Sequence, residues 1–223
     1  MSKDVLIILP AFNEGKVISS VISDIRKEGY ENILVVDDCS SDNTFNVSSS
    51  CGVNVVKHPI NRGAGAATAT GIEYAKRAGF ERIVLMDSDG QHSPKDIKKL
   101  LVELDNFDVV IGSRMVGDLK SMPVQRKLAN KIGSLVTFFF FGKFVHDSQS
   151  GFKAFNRRAI DCINITFDRY EFCSEIIGEI YNHSLNVKEV PIKVLYSKHS
   201  MGKGHGQSIS NGFKMIVKFL MRG

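Results

Sequence analysis

The sequence predicts an α/β fold with a mostly parallel central sheet flanked by helices. In the first half of the chain, short apolar runs of strand length alternate with segments whose apolar residues recur at the helical period. Polar clusters follow these runs at 10–14, 37–38, 61–65 and 87–91. Ligands of open parallel sheets bind beyond the carboxyl ends of the strands, so we expect the four clusters to converge on one site.

Each strand is predicted from a continuous apolar run. The predicted strands are 5–9, 33–36, 53–56, 83–86 and 109–112. The helix after the first strand carries apolar residues at a spacing near 3.6 from Val17 to Ile25. Residues 40–46 form a turn into a second helix, for which Ser and Asp are candidate caps.

Two further helices follow in the first half. An alanine-rich helix begins after the Asn61–Gly65 cluster and runs to about Ala78. Ser93 and Pro94 are a cap and a first-turn residue, and they predict a helix whose buried stripe contains Ile97, Leu100, Leu101 and Leu104. This order of elements indicates βα units.

The second half of the sequence is less regular. A strand is predicted over 187–196, and Pro191 places it at a sheet edge or at a bulge. A terminal helix is predicted over 208–222. The 223 residues are enough for a full core, and we expect one domain, 1–223, with a mobile loop at 197–206.

The net charge of the chain limits the kinds of binding partner that we expect. The net charge of +5 and a pI near 9.0 fit an anionic substrate or a membrane surface. They also fit nucleic acid, but the basic and aromatic signature of an RNA-binding module is missing, so no nucleic-acid partner is expected.

The four cysteines contain no CxxC pair and predict reduced, cytosolic thiols. The longest apolar stretch, 135–145, is shorter than the roughly 20 residues of a membrane-spanning helix, and no signal peptide is expected.

The most informative segment is 82–92, where an apolar run ends in Asp87, Ser88, Asp89, Gly90 and Gln91. Acids at i and i+2 of an extended segment point the same way, so both carboxylates can face one ligand. Mg²⁺ and Mn²⁺ prefer oxygen ligands, often one or two carboxylates completed by a substrate's phosphates and water. The segment therefore predicts a metal–diphosphate site, although taken alone it fits a plain Asp/Ser/Gly turn equally well.

Five motifs in the same order resemble those of family 2 glycosyltransferases. They are Pro10-Ala-Phe-Asn-Glu14, the stretch from Val35 to Thr44, Asn61-Arg62-Gly63, Asp87-Ser-Asp89-Gly-Gln91 and Gly112-Ser113-Arg114. The stretch Asp147–Lys153 resembles the polyprenyl-phosphate branch of that family, to which dolichol-phosphate mannose synthases belong. The resemblance implies a GT-A fold, a nucleotide-diphosphate sugar donor, a divalent cation (Mg²⁺ or Mn²⁺), a polyprenyl phosphate acceptor and an inverting transfer.

The resemblance also implies roles for individual residues. Asp89 and Gln91 match the metal ligands, and Asp87 matches the first acid of the motif, near the ribose and sugar. Arg114 and Arg126 match basic residues near the phosphates of donor and acceptor. The remaining donor-binding positions carried over are Pro10, Ala11, Asn13, Glu14, Asp38, Gly63, Ser88 and His199.

Several of these positions have a purely structural alternative. Asp38 fits a turn cap, Arg114 a solvated loop cation and Arg126 an exposed helix face. Glu175 lies where the family carries a site acid and is the candidate base for a hydroxyl acceptor, but it also fits an exposed helix acid. His58, His146 and His183 are isolated and are interpreted as structural or surface residues.

The loop 197–206 departs from the family pattern. The family carries an arginine there that reaches the donor diphosphate, whereas His199 stands near that position in this chain. Lys198, Lys203 and His205 also lie in the loop, among flexible glycine and serine positions. The basic side chains predict a lid that closes over the diphosphate.

Two segments predict contact with a membrane. The 208–222 helix has an apolar face beside recurring lysine and arginine, and the phenylalanine run in 135–145 is followed by Lys143. Packing on the core is the alternative for both. We expect a protein on the cytoplasmic face of an anionic membrane.

Three other functions compete with the polyprenyl-phosphate hypothesis. The sugar acceptor could be a saccharide or protein hydroxyl. A dinucleotide-binding dehydrogenase is suggested by Gly63-Ala-Gly65, but this partial motif follows the third strand and not the first. A non-catalytic nucleotide-binding protein is disfavoured by the intact set of Asp87, Asp89 and Gln91.

Overall fold

The computed structural model describes residues 4–116, 134–135, 138 and 145–193. Arg126, His199, the predicted lid 197–206 and the predicted helix 208–222 lie outside these residues, as does most of 135–145. No helix in the described part of the chain has the length and apolarity needed to cross a bilayer.

A seven-stranded sheet forms the centre of the fold. Its strands are β1 (Val5–Ala11), β2 (Ile33–Asp37), β3 (Asn54–Lys57), β4 (Arg82–Leu85), β5 (Val109–Ser113), β6 (Lys153–Asn156) and β7 (Val187–Pro191). They lie in the order β3-β2-β1-β4-β6-β5-β7. All pairs are parallel except the two made by β6, which runs antiparallel to β4 and β5. The prediction of a mostly parallel α/β sheet is confirmed.

Six helices that lie wholly within the described residues flank the sheet. They are α1 (Ile18–Lys27), α2 (Thr44–Ser50), α3 (Ala64–Ala78), α4 (Ile97–Glu103), α5 (Arg157–Cys162) and α6 (Phe172–Asn182), with a 3-10 turn, Pro94–Asp96, before α4. The predicted helices of the first half are all present. The sequence patterns did not predict β6, α5 or α6.

Two predicted strands, 5–9 and 187–196, end more than one residue away from the ends that the structure shows. β1 continues through Pro10 and Ala11, which pair with Val36 and Asp37 of β2, so the first polar loop starts two residues later than predicted. β7 is the last strand of the sheet, as Pro191 indicated, and Pro191 ends it opposite Ser113.

The sheet separates two apolar layers. Alternate residues of β1 enter opposite layers, Leu6 and Ile8 on the side of α3 and α6, Ile7 and Leu9 on the side of α1 and α4. A strand buried on both faces reads as a continuous apolar run, which is why β1, β2, β4 and β5 were visible in the sequence.

The direction of β6 determines which loops meet. The parallel strands β1, β2, β4 and β5 all end at one edge of the sheet, and antiparallel β6 begins there, with Lys153 opposite Leu85 and Ile111. The loops after these four strands and the segment 145–152 before β6 therefore share that edge.

Candidate active site

The loop after β1 is held by the loop after β2. Asn13 has a left-handed φ of 57°, and its Oδ1 accepts a 2.9 Å hydrogen bond from the Ser41 amide. The Asn13 amide donates to Ser40 Oγ at 2.9 Å, and the Glu14 amide donates to Thr44 Oγ1 at 2.8 Å. Asn13 and Glu14 are thus fixed in place by the loop after β2 and the first residue of α2.

Asp38 organises the loop that leads into α3. Its buried carboxylate accepts hydrogen bonds from four groups: the His58 ring at 2.7 Å, the Asn61 amide group at 2.9 Å, and the backbone amides of Arg62 and Gly63 at 3.0 and 2.6 Å. His58 contacts Thr70 Oγ1 through its other nitrogen, 3.0 Å away. Asp38 therefore has a structural function in this conformation, and so does His58.

The acidic segment after β4 is fixed to the β1 loop. Ser88 is buried and donates through Oγ to the Pro10 carbonyl at 2.7 Å. Gly90 turns the chain with φ 76°, and the Gln91 amide then donates to Asp89 Oδ1 at 2.9 Å. The Gln91 side-chain amide also contacts Asp89 Oδ2. The carboxylate and the amide thus lie side by side.

The surroundings of Asp89 and Asp87 shift the pKa values of the two carboxyl groups in opposite directions. Burial and the neighbouring Asp87 carboxylate raise the pKa of Asp89 above its usual value, although the Gln91 amide acts against them. The side chain of Asp87 is 54% exposed to solvent, and neighbouring protein atoms displace only part of its water. Burial tends to raise the pKa of Asp87, but the His92 hydrogen bond and the charges of Arg114 and Lys153 outweigh it, so that pKa is lowered.

These residues fit a divalent cation. Two neighbouring carboxylates raise the free energy of the ionised pair, and a cation at Asp89 would relieve that repulsion. No cluster of three His, Cys, Asp or Glu side chains suited to a metal occurs within the described ranges. Asp89 and Gln91 would supply two oxygen ligands, which suits a cation that takes its remaining ligands from phosphate and water.

A buried ion pair lies at the same edge of the sheet, at the end of β5. Arg114 follows β5, and its Nη2 and Nε donate to the two oxygens of Asp147 at 2.7 and 2.8 Å, while its backbone amide donates at 2.9 Å. Glu189 of β7 accepts from the backbone amides of His146 and Asp147 at 2.9 and 3.0 Å. Burial tends to raise the pKa of Asp147, but hydrogen bonds from Arg114 and its positive charge lower it below the usual range.

The family follows from comparison with known proteins. The model of glycosyl transferase family 2 matches residues 6–163. The chain belongs to glycosyltransferase family 2.

Relatives of this glycosyltransferase match over nearly their full length. An uncharacterised protein of Methanocaldococcus jannaschii is 41% identical over 98% of this chain and 92% of its own. The UDP-N-acetylglucosamine–dolichyl-phosphate N-acetylglucosaminyltransferase of Methanococcus voltae is 36% identical over 98% of this chain and 96% of its own.

A solved structure shows the same architecture. The glucosyl-3-phosphoglycerate synthase of Mycobacterium tuberculosis, in complex with Mn²⁺, UDP-glucose and phosphoglyceric acid, matches with a TM-score of 0.72. The match covers 98% of this chain and 79% of that one at 18% identity. At this identity the likeness shows the fold, which is the GT-A fold of glycosyltransferases.

Lys153 is a buried cation near the candidate site, and the sequence did not distinguish it from a surface lysine. It begins β6, is 1% exposed, and its ammonium contacts the carbonyls of Ser148 and Ser150. Its charge lowers the pKa values of both Asp87 and Asp147. A buried cation is costly unless it is compensated, and here the two serine carbonyls and the negative charges of Asp87 and Asp147 compensate it.

Glu175 lies on the first turn of α6 and supports a neighbouring loop. Its carboxylate accepts from the Thr166 and Phe167 backbone amides, each at 3.0 Å, and contacts the Thr166 hydroxyl. That loop packs against the start of α3: a Cβ on Gly65 would lie 2.0 Å from the Phe167 carbonyl. Glu175 therefore stabilises the segment that supports Gly63 and α3.

The structure brings most of the predicted site residues to one edge of the glycosyltransferase sheet. Those residues are Pro10, Ala11, Asn13, Glu14, Asp38, Gly63, Asp87, Ser88, Asp89, Gln91 and Arg114. Sequence reasoning missed Lys153 and His92. Lys153 lay inside a recognised motif, and only its burial marks it as different from a surface lysine.

Proposed function

We propose that this glycosyltransferase moves a sugar from a nucleotide-diphosphate sugar to a polyprenyl phosphate, with inversion at the anomeric carbon and with a divalent cation. The observation that carries the proposal is that the acidic pair Asp87 and Asp89 shares one sheet edge with the Arg114–Asp147 pair. The two groups are close enough for the charge of Arg114 to lower the pKa of Asp87. Named relatives, including the Methanococcus voltae enzyme, support the lipid-phosphate acceptor.

The donor would lie across the loops of the parallel half of the sheet. Pro10, Ala11, Asn13, Glu14, Asp38 and Gly63 would surround the nucleoside, and Asp87 and Ser88 would lie near the ribose and sugar. The hydrogen bonds that fix Asn13 to Ser41 and Asp38 to Gly63 pre-form this surface. A pre-formed surface reduces the entropy lost on binding.

Asp89 and Gln91 would hold Mg²⁺ or Mn²⁺. When bound, the cation neutralises charge on the leaving diphosphate. Arg114, and Arg126 and His199 outside the described residues, would add positive charge near the phosphates.

The transfer would be a single displacement. An oxygen of the lipid phosphate forms a bond to the anomeric carbon while the bond from that carbon to the diphosphate breaks, and the nucleoside diphosphate leaves. The second pKa of a phosphomonoester is about 6, so the attacking oxygen is already ionised near pH 7. No general base is needed, which agrees with a Glu175 carboxylate engaged by Thr166 and Phe167.

The acceptor would reach the site from an anionic membrane surface on the cytoplasmic side. Leu135 and Phe138 are 53% and 46% exposed and offer apolar contact. The 208–222 segment would add basic residues, each contributing about 1 kcal/mol near an anionic surface.

One assay separates the proposal from its alternatives. The purified protein with Mn²⁺ is given radiolabelled UDP-N-acetylglucosamine, UDP-glucose or GDP-mannose with a short-chain polyprenyl phosphate, the matching free alcohol or a soluble sugar. We expect transfer to the phosphate and none to the alcohol, because the alcohol is not ionised and lacks the charge that the arginines would hold. Equal transfer to an alcohol or sugar would overturn the lipid-phosphate acceptor and favour the hydroxyl alternative.

A further inference from the structure

His92 is a buried histidine that the proposed transfer does not use. Its side chain is 4% exposed, and its Nε2 lies 3.2 Å from Asp87 Oδ2. The ring packs on Phe152 with the ring centroids 5.0 Å apart. Phe152 is fully buried and precedes β6, so the imidazole packs between a core residue and the Asp87 carboxylate.

The hydrogen bonds of His92 indicate where its proton lies. Nδ1 is buried and has no hydrogen-bond partner among the described residues. A carboxylate oxygen only accepts hydrogen bonds, so the contact with Asp87 requires a proton on Nε2. Nε2–H therefore donates to Asp87.

Gly151 confines the same carboxylate. A Cβ added to Gly151 would lie 2.2 and 2.3 Å from the two oxygens of Asp87 and 2.5 Å from its Cγ. These three atoms are the nearest neighbours of that position. The carboxylate thus fits into space that only a glycine leaves, while His92 fixes one of its oxygens.

We propose that His92 and Gly151 are positioning residues that set the orientation of the Asp87 carboxylate toward the donor. The inference rests on the proposed function in one respect, that Asp87 contacts the ribose or sugar of a nucleotide-diphosphate sugar. The geometric part, that both residues act through Asp87, does not depend on any activity.

The first test compares two replacements of His92. His92→Gln keeps a side-chain N–H near the position of Nε2, whereas His92→Leu keeps apolar volume against Phe152 without a donor. In metal sites, loss of a hydrogen bond that orients a site residue lowers metal affinity or activity by about 10- to 100-fold. We expect a loss in that range for His92→Leu, in calorimetric affinity for UDP-sugar with Mn²⁺ and in kcat/KM, and substantial recovery for His92→Gln.

The second test removes Asp87. In an Asp87→Ala background, His92→Leu should cause no further loss of donor affinity, because the group on which it acts is gone. A matched control is His183→Leu, since His183 directly follows α6 and pairs with Glu179 of that helix at 3.7 Å. This control should leave donor affinity unchanged.

The third test is independent of donor and acceptor. Gly151→Ala should lower the urea midpoint in the wild-type background and lower it much less in the Asp87→Ala background. Equal shifts in both backgrounds would overturn the role of Gly151. Likewise, equal and additive effects of His92→Leu with and without Asp87 would overturn the role of His92.

These tests separate the two claims. A wild-type protein that transfers no sugar to a polyprenyl phosphate contradicts the proposed function, and the urea experiment still decides whether Gly151 confines Asp87. If transfer occurs but His92→Gln is as impaired as His92→Leu, the proposed function stands and the positioning role of the His92 hydrogen bond fails.

Discussion

Arg114 and Asp147 stand 33 positions apart in the sequence and form a two-point ion pair in which Nη2–Oδ1 is 2.7 Å and Nε–Oδ2 is 2.8 Å. The Asp147 side chain is fully buried, and that of Arg114 is 21% exposed. The pair joins the end of β5 to the segment before β6, and Glu189 joins that segment to β7. Two carboxylates, Asp147 and Glu189, thus link three parts of the chain around the site.

Asp147→Asn should destabilise the protein strongly. Removing one partner of a buried ion pair typically costs about 3–5 kcal/mol because the other charge is left uncompensated. We expect a loss of about 3 kcal/mol in the free energy of unfolding in urea. Asp161→Asn is the matched control, because Asp161 pairs with Arg157 on an exposed helix face at 2.8 Å. An exposed pair of this kind contributes about 0–1 kcal/mol, and equal effects of the two variants would contradict this account.

The contribution of Asp147 should depend on pH. Its pKa is lower in the folded protein than in the unfolded chain, where it is about 3.9, so the folded state holds its proton less tightly. The stability it adds is therefore complete above about pH 4–5 and is lost as the pH falls through the folded pKa. The difference in unfolding free energy between wild type and Asp147→Asn should be constant from pH 6 to 8 and narrow below about pH 4. A constant difference down to pH 2 would contradict the lowered pKa.

Asp89→Asn should abolish the metal effect on donor binding while the fold survives. Burial and the charge of Asp87 raise the pKa of Asp89, so the ionised carboxylate is unfavourable without a cation. We expect a melting temperature equal to or above that of the wild type, and a nucleotide affinity in calorimetry that Mn²⁺ no longer increases. Asp24→Asn, which removes an exposed partner of Lys27, should retain the Mn²⁺ effect. Metal-dependent affinity that persists in Asp89→Asn would exclude Asp89 as a ligand.

Asp38→Ala should lower stability as well as nucleotide affinity. The change removes the acceptor of His58, Asn61 and two backbone amides in one step. We expect a loss of about 3 kcal/mol in unfolding free energy and faster tryptic cleavage after exposed Arg62. Asp105→Ala, which removes an exposed partner of Arg82, is the control for loss of a carboxylate. Wild-type stability with weakened nucleotide binding would show that Asp38 acts on the ligand alone.

Glu175→Gln should retain transfer to a polyprenyl phosphate. If Glu175 were a general base, its loss would slow the reaction by about 10²–10⁴-fold. We expect kcat within about 3-fold of the wild type, because the phosphate oxygen needs no deprotonation. Stability should fall by about 1–2 kcal/mol, since the amide cannot accept all the hydrogen bonds from Thr166 and Phe167. A 100-fold fall in kcat with unchanged stability would support the hydroxyl-acceptor alternative.

The sequence revealed the parts of the fold that depend on local pattern. Strands buried on both faces, such as β1, show as apolar runs, and the polar loops after them fall at one edge by the geometry of parallel sheets. Asp87 and Asp89 could be found for the same reason, since both lie within four residues of the end of β4. The family resemblance then assigned roles to the loops.

The remainder depends on contacts between distant residues. β6 is four residues long and begins with buried Lys153, so no apolar run marks it. The four hydrogen bonds of Asp38 reach positions 20 to 25 residues away. His92 resembles any histidine near a turn until its contacts with Asp87 and Phe152 are known. Neither spacing nor residue type contains this information.

The reversed direction of β6 has a consequence for how such enzymes can diversify. The chain leaves β5 at Ser113 and re-enters the sheet at Lys153, on the neighbouring strand and at the same edge. The two ends of the stretch 114–152 therefore lie side by side. The length and the sequence of this connection can change without altering the pairing of β1, β2, β3 and β4.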